Sequence, residues 1–408
     1  MSGEVAAEPV APARSSNVAL LFAARGVRAF GDGFAAIVLP AYLSAIGLDT
    51  VQIGIVATAS LLGSAALTLV IGFLAPRFEL RRLLLAGAAL TAITGLAYPA
   101  SAYLAFVLVI GFFGTINPSS GDVGMMLPLE QAMLAHEAAD RQRTTAFARY
   151  SLIGALATAA GALAAAAPDL LVRVGIDTMS AFRIMFYVYA GLGIVAALLY
   201  RRLPRAQVAD ARPAAALGPS RRIVYGLAAL FSLDSFAGGF VVQSLLALWL
   251  FQRFDLSLAE ASLFFFWSNV LTAFSYPVAA RLSRHIGLIN TMVFTHIPAS
   301  LCLILAAFAP DLTLVLALLL VRSALSQMDV PARTSYVMAV VTPAERTAAA
   351  SITNVPRSLA SALSPGLAGF LFAFSFSGLP LVLCGVLKIV YDLALLYSFR
   401  HIRPPEEM

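Results

Sequence analysis

Of the 408 residues, 60% are hydrophobic and only 12% are charged, about half the ~25% charge of soluble domains. With a mean hydropathy of +0.88, this excludes a soluble globular domain and describes a polytopic membrane protein. The net charge of +6, from 26 arginines and the single lysine Lys388, lies mostly in short loops, so it speaks to orientation in a bilayer rather than to nucleic acid.

Residues 1–17 are Ala/Pro-rich, carry Glu4 and Glu8, and read as a short disordered tail; no basic start, apolar core and cleavage site mark a signal peptide. A crossing needs about 20 apolar residues. On that ruler the chain holds twelve runs: 18–46, 51–75, 83–100, 103–134, 145–167, 181–200, 223–252, 257–280, 288–308, 312–341, 348–374 and 379–399. The connections alternate in charge. One set holds Arg77, Arg81 and Arg82, then Arg141 and Arg143, the basic ends of 201–222, Arg281 and Arg284, Arg346, and Arg400 and Arg403; the other set is nearly free of net basic charge. By the positive-inside rule the basic loops and both termini are cytoplasmic, as expected for a bacterial-type inner-membrane protein. The Pro/Ala-rich stretch 201–222 reads as a cytoplasmic linker between a six-helix half, 18–200, and a second, 223–399, with 400–408 a C-terminal tail.

The first run carries Arg25, Arg28 and Asp32 among Gly26, Gly31 and Gly33. Charge costs roughly 2.5–3.5 kcal/mol per group inside a span, so it normally faces a protein interior or a wet cavity. Arg28 and Asp32 are four apart and are expected to pair on one helix face. The two halves also echo each other. Phe30-Gly31-Asp32-Gly33-Phe34 recurs as Phe236-Ala237-Gly238-Gly239-Phe240, Asp140-Arg141 as Glu345-Arg346, and Gly161-Ala162-Leu163-Ala164 as Gly366-Leu367-Ala368-Gly369, all at nearly one offset. That pattern argues for a duplicated six-span unit.

With these features the chain resembles the major facilitator superfamily. The family's loop between spans 2 and 3 has the form G-x-x-x-D-R-x-G-R-x-R/K; here it reads Gly72-Phe73-Leu74-Ala75-Pro76-Arg77-Phe78-Glu79-Leu80-Arg81-Arg82. Pro76 stands in place of the acid and Glu79 in place of the second glycine, so Glu79 is the available substitute acid. The resemblance implies an all-α fold of twelve transmembrane helices in two six-helix halves related by a pseudo-two-fold axis. It further implies a cavity lined by spans 1, 4, 7 and 10. All four carry acids here, and the expected substrate and proton cavity comprises Arg25, Arg28, Asp32, Asp122, Asp234, Gln243, Asn269, Arg322, Gln327 and Asp329. A cytoplasmic salt-bridge gate is expected from Arg77, Glu79, Glu130, Arg149, Arg333 and Arg357, with Glu130 meeting Arg149 or Arg333. Lys388 and Asp392, four apart in the last span, are expected to neutralise each other. Asn117-Pro118-Ser119-Ser120-Gly121-Asp122 is a helix-breaking sequence inside span 4, and Ser326-Gln327-Met328-Asp329 repeats the flavour in span 10.

Other classes find no footing. There is no phosphate loop of the form G-x-x-x-x-G-K-[ST] and no G-x-S-x-G. His136-Glu137 opens like a zinc-protease helix, but Asp140 stands where the second histidine is required, and Cys302 and Cys384 give no metal spacing. The expected function is a secondary active transporter moving a small organic solute by alternating access, coupled to protons through Asp32 or Asp234. Mixed arginines and carboxylates suit an anionic or zwitterionic solute. The alternative is a non-transporting receptor or lipid-handling protein on the same scaffold. No enzyme activity, cofactor, metal or nucleic-acid partner is expected; the partners are the solute, protons and the lipid bilayer, and the chain is expected to act as a monomer.

Overall fold

The computed structural model describes residues 12–119, 124–137, 143–206, 217–342 and 345–402. Its helices are α1 Pro12–Ala45, α2 Thr50–Leu74, α3 Leu80–Ala97, α4 Leu104–Phe113, α5 Met126–Glu137, α6 Arg143–Ala164, α7 Ala167–Arg173 and α8 Thr178–Arg201 in the first half. The second half holds α9 Arg221–Gly239, α10 Gln243–Phe254, α11 Leu258–Ile286, α12 Leu288–Phe308, α13 Leu312–Leu325, α14 Asp329–Ala339, α15 Arg346–Phe372 and α16 Leu379–Phe399. Spans 4, 7 and 10 are each two helices end to end: α4 with α5, α9 with α10, and α13 with α14. Counted this way the chain has twelve spans in two six-helix halves. Nine helical segments among the described residues are long and apolar enough to cross a bilayer on their own. The other three are α1, with its buried charges, the broken span 4, and α15, which is rich in Ser, Thr and Pro.

Local chemistry explains many of the boundaries. Asp49 and Gln52 close a capping box at α2, and Ser257 and Glu260 do the same at α11, each satisfying helix-end N–H groups in both directions. α1 reaches back to Pro12, into the stretch expected to be a tail. The expected loop after span 5 holds a further short helix, α7, started by Pro168. Span 4 breaks at Asn117-Pro118 as its sequence demands, although it was expected as one run. Span 7 breaks after Gly238-Gly239, where nothing but the glycine pair announced it. The break in span 4 meets the break in span 7: the Ser244 N–H donates to the Pro118 carbonyl at 3.0 Å.

The halves join on the face opposite the basic loops, called here the far side. α2 crosses α15 and α6 crosses α11, while α1 packs on α10. At the α2–α15 crossing the backbones touch, so that a Cβ on Gly54 would lie 2.6 Å from the Pro365 carbonyl oxygen, and one on Gly369 would meet the Thr50 carbonyl. The Thr58 hydroxyl accepts the Gly366 N–H at 2.8 Å, and the Asp169 carboxylate caps α11 through the Ala259 N–H at 2.9 Å. One apolar cluster runs through both halves there, from Phe34, Tyr42 and Phe186 to Trp249, Phe265 and Leu381. On the basic side the core divides. Leu84, Met133 and Tyr200 belong to a cluster made only of the first half; Phe231, Met292 and Tyr391 belong to one made only of the second.

The basic loops are tied within their own halves. The Leu80 N–H donates to the Ala206 carbonyl at 2.8 Å and the Arg81 guanidinium to Leu203 at 3.2 Å, so the span 2–3 loop holds the start of the linker. At the linker's other end, Glu345 accepts from the Gly218 N–H, the Ser220 hydroxyl and the Thr342 hydroxyl. Hydrogen bonds from Thr342, Ser220 and Gly218 hold this loop carboxyl down to about 2. A carboxyl lowered on folding stabilises above its unfolded value and loses that contribution as pH falls through its folded value. Glu345→Gln is therefore expected to lower the melting temperature in detergent at pH 7, with the gap to wild type narrowing between about pH 4.5 and about pH 2. Gly369→Val, which drives a side chain into Thr50 and Gly54, is expected to weaken far-side closure by about 1–3 kcal/mol. Distances between spin labels on the basic loops of the two halves should then shorten; an unchanged distribution would show that the crossing does not hold the halves.

Candidate functional site

Each half carries one buried ionic cluster. In the first, α1 presents Arg28 to Glu130 of α5. Arg28 Nε donates to Oε1 at 3.1 Å and Nη2 to Oε2 at 2.5 Å, a two-pronged charge-assisted pair. The hydroxyls of Tyr150 on α6 and Tyr200 on α8 donate to the same carboxylate. Glu130 is fully buried and satisfied by three elements at once. The Arg25 guanidinium, also buried, lies over the Tyr150 ring at 5.1 Å, in space that Gly154 leaves by having no Cβ.

The expected Arg28–Asp32 pair does not form among the described residues; Arg28 forks onto Glu130 instead. Among the described residues Asp32 has no cation at salt-bridge distance. It stands on the wall of a narrow cleft with Arg25, Arg28, Ser64, Thr115 and Tyr189. The cleft has about 40 Å³ of free space, room for a water or two rather than an organic solute. Thr115 and Tyr189 share a hydrogen bond of 3.0 Å across it. Asp122 lies outside the described residues.

In the second half, Asp234 of α9 is gripped by Lys388 Nζ from α16 at 2.6 Å and by Arg333 Nη1 from α14 at 3.2 Å. Arg333 also meets Asp329 one turn earlier at 3.1 Å and lies over the Phe231 ring. His296 of α12 places Nδ1 3.1 Å from Asp392 and Nε2 3.2 Å from Lys388 Nζ. Lys388 and Asp392 therefore do not neutralise each other as their spacing promised; both turn to His296, and Lys388 also to Asp234. Arg357 bonds to neutral oxygens, the Ser235 hydroxyl at 2.8 Å and Asn354.

The remaining expected cavity residues are dispersed. Gln243 opens α10 just beyond the span 7 break, and Gln327 sits in the turn between α13 and α14. Asn269 lies on α11 with a buried Nδ2 that has no partner, beside the seam where Ser268 meets Ser323 at 2.7 Å. Arg322, in the last turn of α13, has no carboxylate within salt-bridge distance among the described residues. The expected gate is not assembled. Glu130 pairs with Arg28, not Arg149 or Arg333; Arg149 is exposed and Tyr150, one residue on, takes the place foreseen for it. Arg333 is buried within its own half. Arg77 is exposed, and Glu79, the proposed substitute acid, pairs locally with Arg82 at 3.3 Å. Among the described residues every ion pair stays within one half. Sequence reasoning missed Tyr150, Tyr189 and Tyr200, which nothing in their local pattern singles out. It also passed over His296, which the rarity of ionisable groups in a span does single out.

A family model described as Major Facilitator Superfamily matches residues 21–233 and again 227–408. A curated relative, the uncharacterized membrane protein YJR124C of Saccharomyces cerevisiae, is 25% identical over 423 residues, covering 94% of each chain. Among solved structures, a bacterial homolog of the human lysosomal transporter Spinster, inward-facing and occupied, superposes with TM-score 0.74 at 16% identity, over 96% of this chain and 98% of that one. The nucleoside transporter NupG gives 0.73 at 14%, over 94% and 99%. The inward-open xylose transporter XylE from E. coli gives 0.73 at 14%, over 94% and 96%. At these identities the likeness shows the fold.

A buried pair stripped of one partner leaves an uncompensated charge. Arg28→Ala and Glu130→Ala are each expected to cost about 3–5 kcal/mol, read as a large drop in melting temperature, whereas the double change Arg28→Met with Glu130→Leu recovers most of it. Single variants as stable as wild type would contradict the assignment.

Proposed function

The chain belongs to the major facilitator superfamily, and we propose that it is a secondary active transporter of a small organic anion or zwitterion, coupled to protons and working by alternating access. The observation that carries this reading is the division of the core: one cluster shared by both halves on the far side, two separate clusters on the basic side. A molecule built this way is closed at one face and parted at the other. The basic loops face the cytoplasm, so the state is cytoplasm-facing, and the halves 18–200 and 223–399 rock about the α2–α15 and α6–α11 crossings. The protein works as a monomer, since each clustered charge finds its partners inside the chain.

Asp32 is the coupling carboxylate in this reading. It faces the cleft with no cation at salt-bridge distance among the described residues, while Asp234 is held by Lys388 and Arg333. A carboxyl in a partly dry cleft is free to exchange a proton for a cationic partner as the cleft opens and closes. Arg25 and Arg28 stand beside Asp32 on the same wall, where an anionic solute would compete with Glu130 for Arg28.

Purified protein in liposomes loaded with a pH-reporting dye, challenged with a panel of organic acids and amino acids, tests the proposal. Saturable solute entry accompanied by proton movement is expected, and Asp32→Asn should abolish the proton signal while leaving solute-induced thermal stabilisation. Solute flux unaccompanied by protons would contradict the coupling. Lipid transfer without any soluble flux would favour the lipid-handling alternative.

A further inference from the structure

The second half holds a set of ionic groups that substrate binding in the first half does not use. Asp392, His296, Lys388, Asp234, Arg333 and Asp329 form one continuous chain of contacts, of 3.1, 3.2, 2.6, 3.2 and 3.1 Å in that order. Asp392, Asp329 and His296 are nearly or fully buried. Three carboxylates face two permanent cations, Lys388 and Arg333, so with a neutral imidazole the chain is one proton short of neutrality. The shortfall lies at the Asp392 end. One carboxylate oxygen takes the His296 Nδ1–H, and the other, Oδ2, is buried with no partner among the described residues. A lone buried carboxylate oxygen is costly and marks a place where a ligand belongs.

His296 Nε2 and Lys388 Nζ are 3.2 Å apart, which requires one donor and one acceptor. The ammonium donates, so Nε2 carries the lone pair and Nδ1 the proton. A proton added to Nε2 removes that acceptor and sets two cations against each other. The new Nε2–H faces Asp234 Oδ1, now 3.8 Å away, and competes with Lys388 for it. Lys388–Asp234 joins α16 to α9, and α9 is the basic-side part of broken span 7, so a proton on His296 loosens one of the two ionic ties on this helix, leaving the one to Arg333.

Neutral and charged groups from five helices face the site. α16 also presents Tyr391, whose ring stands edge-on to the imidazole at 6.0 Å, and Cys384, which is buried. From α14 come Arg333 and Asp329, from α13 Arg322, from α11 Tyr276, and from α15 Arg357, the last bonded to neutral oxygens and not part of the chain. We propose that His296 and Asp392 form a proton-binding site in the second half, whose occupancy releases Lys388 from Asp234 and so shifts the balance between the two arrangements of the bundles by loosening α9 from α16 at the seam. The site rests on the proton-coupled reading above but is separate from Asp32.

The test needs no substrate. Spin labels at Arg82→Cys and Arg284→Cys, at exposed basic-side helix ends of opposite halves, are placed in a background with Cys302→Ser and Cys384→Ser. The interspin distance in lipid nanodiscs is measured between about pH 8 and about pH 5.5, the interval around histidine's ordinary value of ~6.5. Nitrogen-15 NMR of the labelled histidines, with His296→Gln to assign the resonance, follows the protonation directly. The expected result is a pH-driven shift in distance, a matching change of His296 from neutral to imidazolium, and loss of the distance shift in His296→Gln and in Asp392→Asn. A distance shift that survives His296→Gln but vanishes in Asp32→Asn would overturn the site and leave the coupled-transporter reading intact. A His296 that keeps one neutral tautomer throughout would overturn the site whatever the distances do. Loss of proton movement in liposomes, with His296 still titrating, would instead count against the transporter reading alone.

Discussion

An ionised group inside a bilayer must find a partner, and here each half finds its partners within itself. Glu130 gathers Arg28, Tyr150 and Tyr200 from α1, α6 and α8, and Asp234 gathers Lys388 and Arg333 from α16 and α14. A buried pair gains little over apolar packing but is expensive to break. Its effect is to specify: each carboxylate fixes the mutual placement of several helices in one bundle. Because no ion pair among the described residues crosses between bundles, moving one bundle against the other breaks none of them.

What crosses between the bundles is of a different kind. On the far side the contacts are apolar area, glycine-mediated backbone approach at Gly54 and Gly369, and neutral hydrogen bonds such as Gly366 to Thr58. These can be exchanged for similar contacts on another face at modest cost, since they strand no charge. The breaks in spans 4 and 7 fall where the two bundles face each other, tied by the Ser244–Pro118 hydrogen bond. Irregular backbone at membrane depth is tolerated where it is buried in protein or lines a wet cavity. Rigid ionic bundles, a soft apolar seam and interrupted helices at that seam form one coherent arrangement for a transporter fold.

Architecture was legible in the sequence and partnership was not. Hydrophobic length, loop charge alternation and the offset near 205 residues delivered twelve spans and two halves, because these are properties of segments. Asn117-Pro118 announced its break by its own chemistry; Gly238-Gly239 was noticed as part of a repeat and not as a hinge. Arg28 was assigned to Asp32 because sequence offers only local neighbours, whereas its partner Glu130 lies 102 positions away. Lys388 and Asp392 failed for the same reason: an attractive four-residue spacing was overridden by His296, which tertiary packing brings between them. A place at a loop end does not by itself make a gate, and Arg77 and Arg149 are exposed there.

The central claim is that the two bundles move as units, opening one face as they close the other. Paired distance measurements on one protein population test it most directly, with spin labels at Arg82→Cys and Arg284→Cys on the basic side and, in a second sample, at Tyr103→Cys and Thr313→Cys on the far side. Under conditions that shift the equilibrium, the account predicts that the first distance shortens as the second lengthens. Two distances that stay fixed, or that lengthen together, would contradict it.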